Sequence, residues 1–179
     1  MALSRRSFVV AAAGALAGAA LLAACGPSAG QIRTAREARY QGSRDEVFLA
    51  VTEAIPKVQQ TIDKTDTDAA AILTAGRWYE PDGTYEDKAL GRDSIQMQDG
   101  SIFLAFVIRV VGDAPPYQVL VEPTVDQFRS GYSALYHMKP DDPQMPGWVH
   151  GKVDDLQLAL HARLKSRMLA APGATAPAP

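Results

Sequence analysis

Ile102-Phe103-Leu104-Ala105-Phe106-Val107-Ile108-Arg109-Val110-Val111 is the stretch on which the fold turns. Its ten residues are mostly β-branched or aromatic and carry a single charge, Arg109, which is the composition of a β-strand. In an extended chain, alternate side chains leave on opposite faces. Ile102, Leu104 and Phe106 then stand opposite Phe103, Ala105 and Val107, so both faces are apolar. One face is expected under helices. The other needs its own cover: the segment 85–99, a flanking layer that buries the strand on both sides, a bound apolar molecule, or another protein.

Working outward, residues 112–116 turn the chain and residues 117–121 return it. Upstream, residues 61–65 alternate and reach the polar turn Asp66-Thr67-Asp68, and residues 70–79 read as the hairpin partner. Pro81-Asp82-Gly83 ends that strand as a turn. Residues 133–136 add a further strand, and the proline-rich run 140–146 is a loop. Before the meander, Ser43 stands three residues ahead of Glu46, a capping box, with Asp45 and Glu46 in the first turn. Val47, Val51, Ala54, Ile55 and Val58 follow at helical spacing, and Pro56 should kink or end that helix. Residues 35–40 are expected to lead in as a short strand. The last element is a helix over residues 149–168 with Val149, Val153, Leu156, Leu160 and Leu164 as its buried stripe. Arg163, Lys165 and Arg167 suit its C-terminal end. The order is β-α-β-meander-α. Its physical solution is an α+β domain with two helices packed on one face of a curved antiparallel sheet.

The chain has 179 residues, 47% apolar and 21% charged, enough for one ordinary core. Lys and Arg total 18 against 20 Asp and Glu, a net charge of -2, without the basic surplus that a nucleic-acid binder carries. A single cysteine excludes an internal disulfide and a cage of several cysteines around zinc.

The ends are read as outside the domain. Residues 1–7 hold Arg5-Arg6 and no acid, and residues 8–24 form an uncharged stretch of 17 rich in Ala, Gly, Leu and Val. That is the layout of an export signal, residues 1–24. As a helix it would reach about 25 Å, slightly short of a permanent bilayer span. Residues 25–30 read as a tether, residues 31–168 as a single α+β domain, and residues 169–179, only Ala, Pro, Gly and Thr from Ala170 on, as a disordered tail.

Ser4-Arg5-Arg6-Ser7-Phe8-Val9-Val10 resembles the twin-arginine export motif, with Arg5, Arg6 and Phe8 at its key positions. Leu22-Ala23-Ala24-Cys25 resembles the bacterial lipobox. That resemblance implies a lipoprotein in which Cys25 is diacylglycerated, the chain is cut before it, and the new amino group is acylated. Cys25 then reads as an anchor with several acyl chains, far firmer than one. Loss of Arg5 and Arg6 takes the basic count from 18 to 16 against 20 acids, a net of -4, so lipid and not charge holds the chain to a membrane. Gly26, in place of the aspartate that marks inner-membrane retention in such lipoproteins, implies an outer membrane where the host has two, with the domain facing the periplasm.

Arg39-Tyr40-Gln41-Gly42-Ser43 entering a helix, Thr61-Ile62-Asp63, and Asp68-Ala69-Ala70-Ala71-Ile72-Leu73-Thr74, all inside a lipoprotein, resemble the helix-grip domains of the BamC type. The resemblance spans the first third of the mature chain, and Pro56 and the single domain depart from it. It implies a helix-grip-like sheet and a part in envelope assembly.

Candidate chemistry is sparse. His137, His150 and His161 lack the i,i+4 spacing that places two imidazoles on one metal. The pairs Asp66/Asp68, Asp141/Asp142 and Asp154/Asp155 fall in a turn, a loop and a first helical turn, where Asp serves local structure. Ser130 and Ser133 lack a G-x-S-x-G setting, and no glycine-rich loop cradles phosphate. No catalytic residue, metal or cofactor is assigned. Trp78, Tyr79, Tyr85 and Trp148 are the candidate interaction surface, because Trp and Tyr anchor interfaces. The expectation is a non-catalytic interaction or assembly module with an envelope protein partner. The alternative is a carrier holding an apolar ligand such as a lipid between the sheet and the C-terminal helix.

Overall fold

The computed structural model describes residues 26–85 and 97–167. Residues 1–25, on which the expected export signal and the anchor Cys25 fall, the segment 86–96 and residues 168–179, expected as a tail, lie outside the described residues.

The central unit is an antiparallel hairpin of β5 (Ile102–Val111) and β6 (Tyr117–Gln127), paired in register from Ile102↔Gln127 to Val111↔Gln118. β5 has the bounds that its apolar run dictates. β6 is longer than residues 117–121, because it continues through Pro123. Proline is tolerated there because Pro123 stands opposite Phe106, whose N–H points away from β6 and donates to Thr74 Oγ1 at 2.9 Å. No ladder bond is asked of Pro123.

The expected partner strand 70–79 is two strands. β3 (Ala71–Thr74) pairs with the far half of β5 and β4 (Arg77–Tyr79) with its start. Between them the Phe103 ring lies directly on Gly76, where any Cβ would collide with it. Buried Thr74 lends its hydroxyl to the ladder across that break. β2 (Ile62–Asp66) pairs with β3 at one sheet edge, and β1 (Arg39–Tyr40) with β6 at the other. β7 (Tyr136–Met138) pairs with the last residues of β6. It is shifted toward Met138 relative to the expected 133–136, and buried Met138 is what seats it.

Three helices, not two, accompany the sheet. α2 (Arg44–Ala54) has the Ser43–Glu46 capping box, with Ser43 N–H donating to Glu46 Oε2 at 2.7 Å. Pro56 ends it and opens a 3₁₀ turn, Pro56–Val58. Arg44 at its start donates to the carbonyls of Asp68 and Ala69, fixing the β2–β3 turn beneath it. α3 (Gly147–Leu164) buries all five residues of the expected stripe. The addition is α1 (Ala29–Glu37), which replaces the first half of the expected lead-in strand and the last two tether residues. Ser28 caps it reciprocally with Gln31, and only Arg39–Tyr40 remain as strand.

The core lies between the helices and one sheet face: Ile102, Leu104, Phe106, Ile108 and Val110 from β5, Val119, Val121 and Val125 from β6, and the inner faces of α2 and α3. Polar side chains also sit inside it, among them Thr74 and Gln157. Gln157 of α3 is 2% exposed. Its Nε2 donates to the carbonyls of Ala35 (3.1 Å) and Val119 (3.0 Å), and its Oε1 accepts from Val121 N–H (3.2 Å). These β6 groups lie on the edge between β1 and β7, where no strand pairs with β6 among the described residues. Gln157 thus supplies the bonds of a missing strand and ties α1, α3 and β6 together.

Gln157→Leu keeps the volume but leaves three buried backbone groups unpaired. The expected loss of stability is at least about 2 kcal/mol, at about 1–3 kcal/mol per unsatisfied group. Urea unfolding of the two proteins measures it, and a difference within about 0.5 kcal/mol contradicts this role.

Candidate functional site

The sheet has two unlike faces. The helix-side face is covered by α2 and α3. The other presents Phe103, Ala105 and Val107 from β5, with Leu73 and Trp78 from the flanking strands in register beside them. Arg109 and Glu122 close this face on one side as an exposed ion pair at 2.7 Å. Trp78 and Phe103 meet with ring centroids 5.1 Å apart. No helix of the described residues lies over this face, and Phe103, Val107, Leu73 and Trp78 stay half-buried. The result is an apolar centre rimmed by charge, the composition of a protein-binding patch.

The four candidate aromatics do not form one site. Trp78 stands on the open face. Tyr79, paired with Ile102, points the other way and is buried against α3. Trp148 and Tyr85 flank it at 5.3 and 5.7 Å between ring centroids. Trp148 also donates from Nε1 to the Pro81 carbonyl at 3.0 Å and covers Gly83, whose φ of +89° keeps the turn tight beneath the indole. Tyr79 and Trp148 therefore serve packing at this end of the sheet. Arg77 lies over the Tyr85 ring, and Lys152 over that of Tyr79. Burial holds the Tyr79 hydroxyl above the ordinary tyrosine range.

A second feature lies between α3, the sheet and the 3₁₀ turn, the place the carrier alternative names, though its lining residues are not legible in the sequence. A slot of about 210 Å³ runs between α3 and the sheet down to the buried rings of Tyr79 and Phe106. It adjoins a wider bay of about 490 Å³ through Val58 and Ala159, which line both. Lys57 and Arg163 flank the bay. Nothing local pairs positions so distant in the chain, so only tertiary structure brings them together. Gln157, by contrast, had a signal: a polar residue inside the apolar stripe of α3.

Asp66 and Asp142 serve local structure, whereas Asp154 and Asp155 lie beyond the first turn of α3 and Asp154 ties that helix to α1. Asp66 accepts from Ala69 N–H at 2.9 Å, and Asp154 pairs with Arg36 at 2.6 Å. Asp142 accepts from Gln144 N–H and from the Tyr136 hydroxyl, both at 2.8 Å. The Gln144 N–H bond foremost, with the Tyr136 hydroxyl bond, holds the Asp142 carboxyl below its usual range. His137 meets Asp126 at 2.9 Å on the exposed β6–β7 edge, and His150 is exposed. Ser130 donates its N–H to Asp99, and Ser133 is exposed. Among the described residues no serine, histidine and acid converge, and no three His, Cys, Asp or Glu side chains could hold a metal ion. No helix among them is long and apolar enough to cross a membrane.

His161 Nδ1 lies 3.0 Å from the Tyr40 hydroxyl, joining α3 to β1. Burial pushes Tyr40 up to about 12. Desolvation, and then the charge of Lys165, lowers His161 from its ordinary 6.5. No protein-family model matches this chain, and no curated protein matches it.

A histidine with a lowered folded-state pKa binds fewer protons than the unfolded chain as pH falls below about 6.5. Its contribution to stability is therefore present above that pH and lost below it. The expected result is a thermal midpoint that falls further between about pH 7.5 and about pH 5.5 for the natural protein than for His161→Gln. Equal pH dependence of the two proteins contradicts it.

Proposed function

We propose that this chain is a bacterial envelope lipoprotein, anchored by acylated Cys25, whose α+β domain binds an envelope protein partner and does no chemistry of its own. The observation that carries the reading is the open sheet face, where Trp78, Phe103, Leu73 and Val107 form an apolar centre beside the Arg109–Glu122 pair. An aromatic anchor inside a charged rim suits a folded protein surface. The placement of α1 adds to it. Helix begins at Ala29, so only residues 26–28 link the domain to Cys25, a reach of about 10 Å. The domain then works close to the membrane surface, on partners held there. The lipobox and Gly26 support the outer membrane, and Arg5-Arg6 with Phe8 support twin-arginine export.

A second reading has its own observation. The slot between α3 and the sheet, ending on Tyr79 and Phe106, suits a carrier of an apolar ligand.

Two measurements test the anchor and the face. Labelled palmitate is expected on the natural protein and absent from Cys25→Ala; equal labelling of both removes the anchor. A photoreactive amino acid placed at Val107 is expected to give a discrete protein adduct in the envelope, and one placed at exposed Leu49 on α2 to give none. Adducts from Leu49 alone, or from neither position, contradict the open-face reading.

A further inference from the structure

We infer that the groove between the 3₁₀ turn and α3 is a binding site for a single-chain anionic amphiphile, with its acyl tail in the slot and its carboxylate in the bay. The inference rests on the carrier reading of the same groove and gives the ligand a charge, a chain number and a direction.

Shape sets the chain number. A narrow slot of about 210 Å³ opening into a bay of about 490 Å³ has the outline of a tail with a head. The slot is smaller than the usual small-molecule site of about 300–1,000 Å³ and leaves no room for a second chain. The slot floor of Phe106, Leu156 and the Tyr79 ring is buried and apolar, continuous with the core.

Charge sets the head group. Lys57 and Arg163 flank the bay, and neither pairs with a carboxylate among the described residues. Arg163 presents a planar fork that matches a carboxylate, and Lys57 adds a point charge. In a mature chain of net charge -4, two unpaired cations at one mouth are a local reversal of sign.

Direction follows from the balance of charge. Lys152 and Asp155 both line the slot and offset one another, whereas the bay is lined by two cations and no acid. An anionic head is drawn to the bay, while the tail passes Val58 and Ala159 toward Phe106. A peptide needs backbone hydrogen-bond partners along its whole length, which this apolar floor does not offer.

The test uses the full acylated protein in phosphatidylcholine vesicles at alkaline pH, with a photoreactive fatty acid as probe. The label is expected on the peptides that hold Val58 and Ala159. Oleate should compete about tenfold better than oleyl alcohol. Reversing both cations, Lys57→Glu with Arg163→Glu, should lower labelling about tenfold. Both residues are exposed, so the fold survives that change. Ala159→Trp, which fills the junction of slot and bay, should abolish labelling. Equal competition by the alcohol, or full labelling of the double variant, overturns the anionic ligand while a neutral carrier stands. Label absent from the groove overturns both.

Discussion

The β5–β6 ladder is the interaction on which everything else here depends. Ten residue pairs, from Ile102↔Gln127 to Val111↔Gln118, fix the register of the two long strands. A slip of one residue would carry every core side chain of one strand to the open face. With the register fixed, β1, β7, β3 and β4 take the four remaining stretches of edge, two on each side of the hairpin. The helices then have one surface to cover. Both candidate sites follow from that sorting: the patch is the face without helices, and the groove is where α3 stops short of sealing the face beneath it.

The gaps in the ladder are handled by side chains. Between β3 and β4 the Thr74 hydroxyl takes the Phe106 N–H. Between β1 and β7 Gln157 takes Val119 and Val121, and Pro123 has no N–H to leave unpaired. Together they account for two of the three buried polar residues. They also blunt the one long free edge of β6 against unwanted strand pairing.

Much of this was legible in the residues, for physical reasons that operate locally. The Ser43–Glu46 box, Pro56, the run Ile102–Val111 and the stripe of α3 each carry their signal within a few positions. α1 was missed although Ser28 and Gln31 form the same kind of box as Ser43 and Glu46. Its sequence buries only Ala35, so the glycines on either side of Ser28 read as tether. The break at Gly76 and the passage of β6 through Pro123 depend on cross-strand partners that no local pattern contains. The four aromatics illustrate the limit most clearly. Trp78 and Tyr79 are neighbours in sequence, yet the pleat sends one to the open face and the other into the core. Of the groove, the sequence indicates only the place between sheet and C-terminal helix, since Lys57 and Arg163 are brought to one bay by tertiary packing alone.

The two faces of β5 differ: helices cover one, and no helix of the described residues covers the other. Stability measured on two neighbouring substitutions, Val107→Lys and Ile108→Lys, tests that difference directly. Ile108 is buried under the helices, so an unpaired lysine there should cost more than about 3 kcal/mol or prevent folding. Val107 faces outward, and the same side chain should cost less than about 1 kcal/mol. A comparable loss at both positions would mean that the second face is sealed as well, and the account of the open sheet would fail.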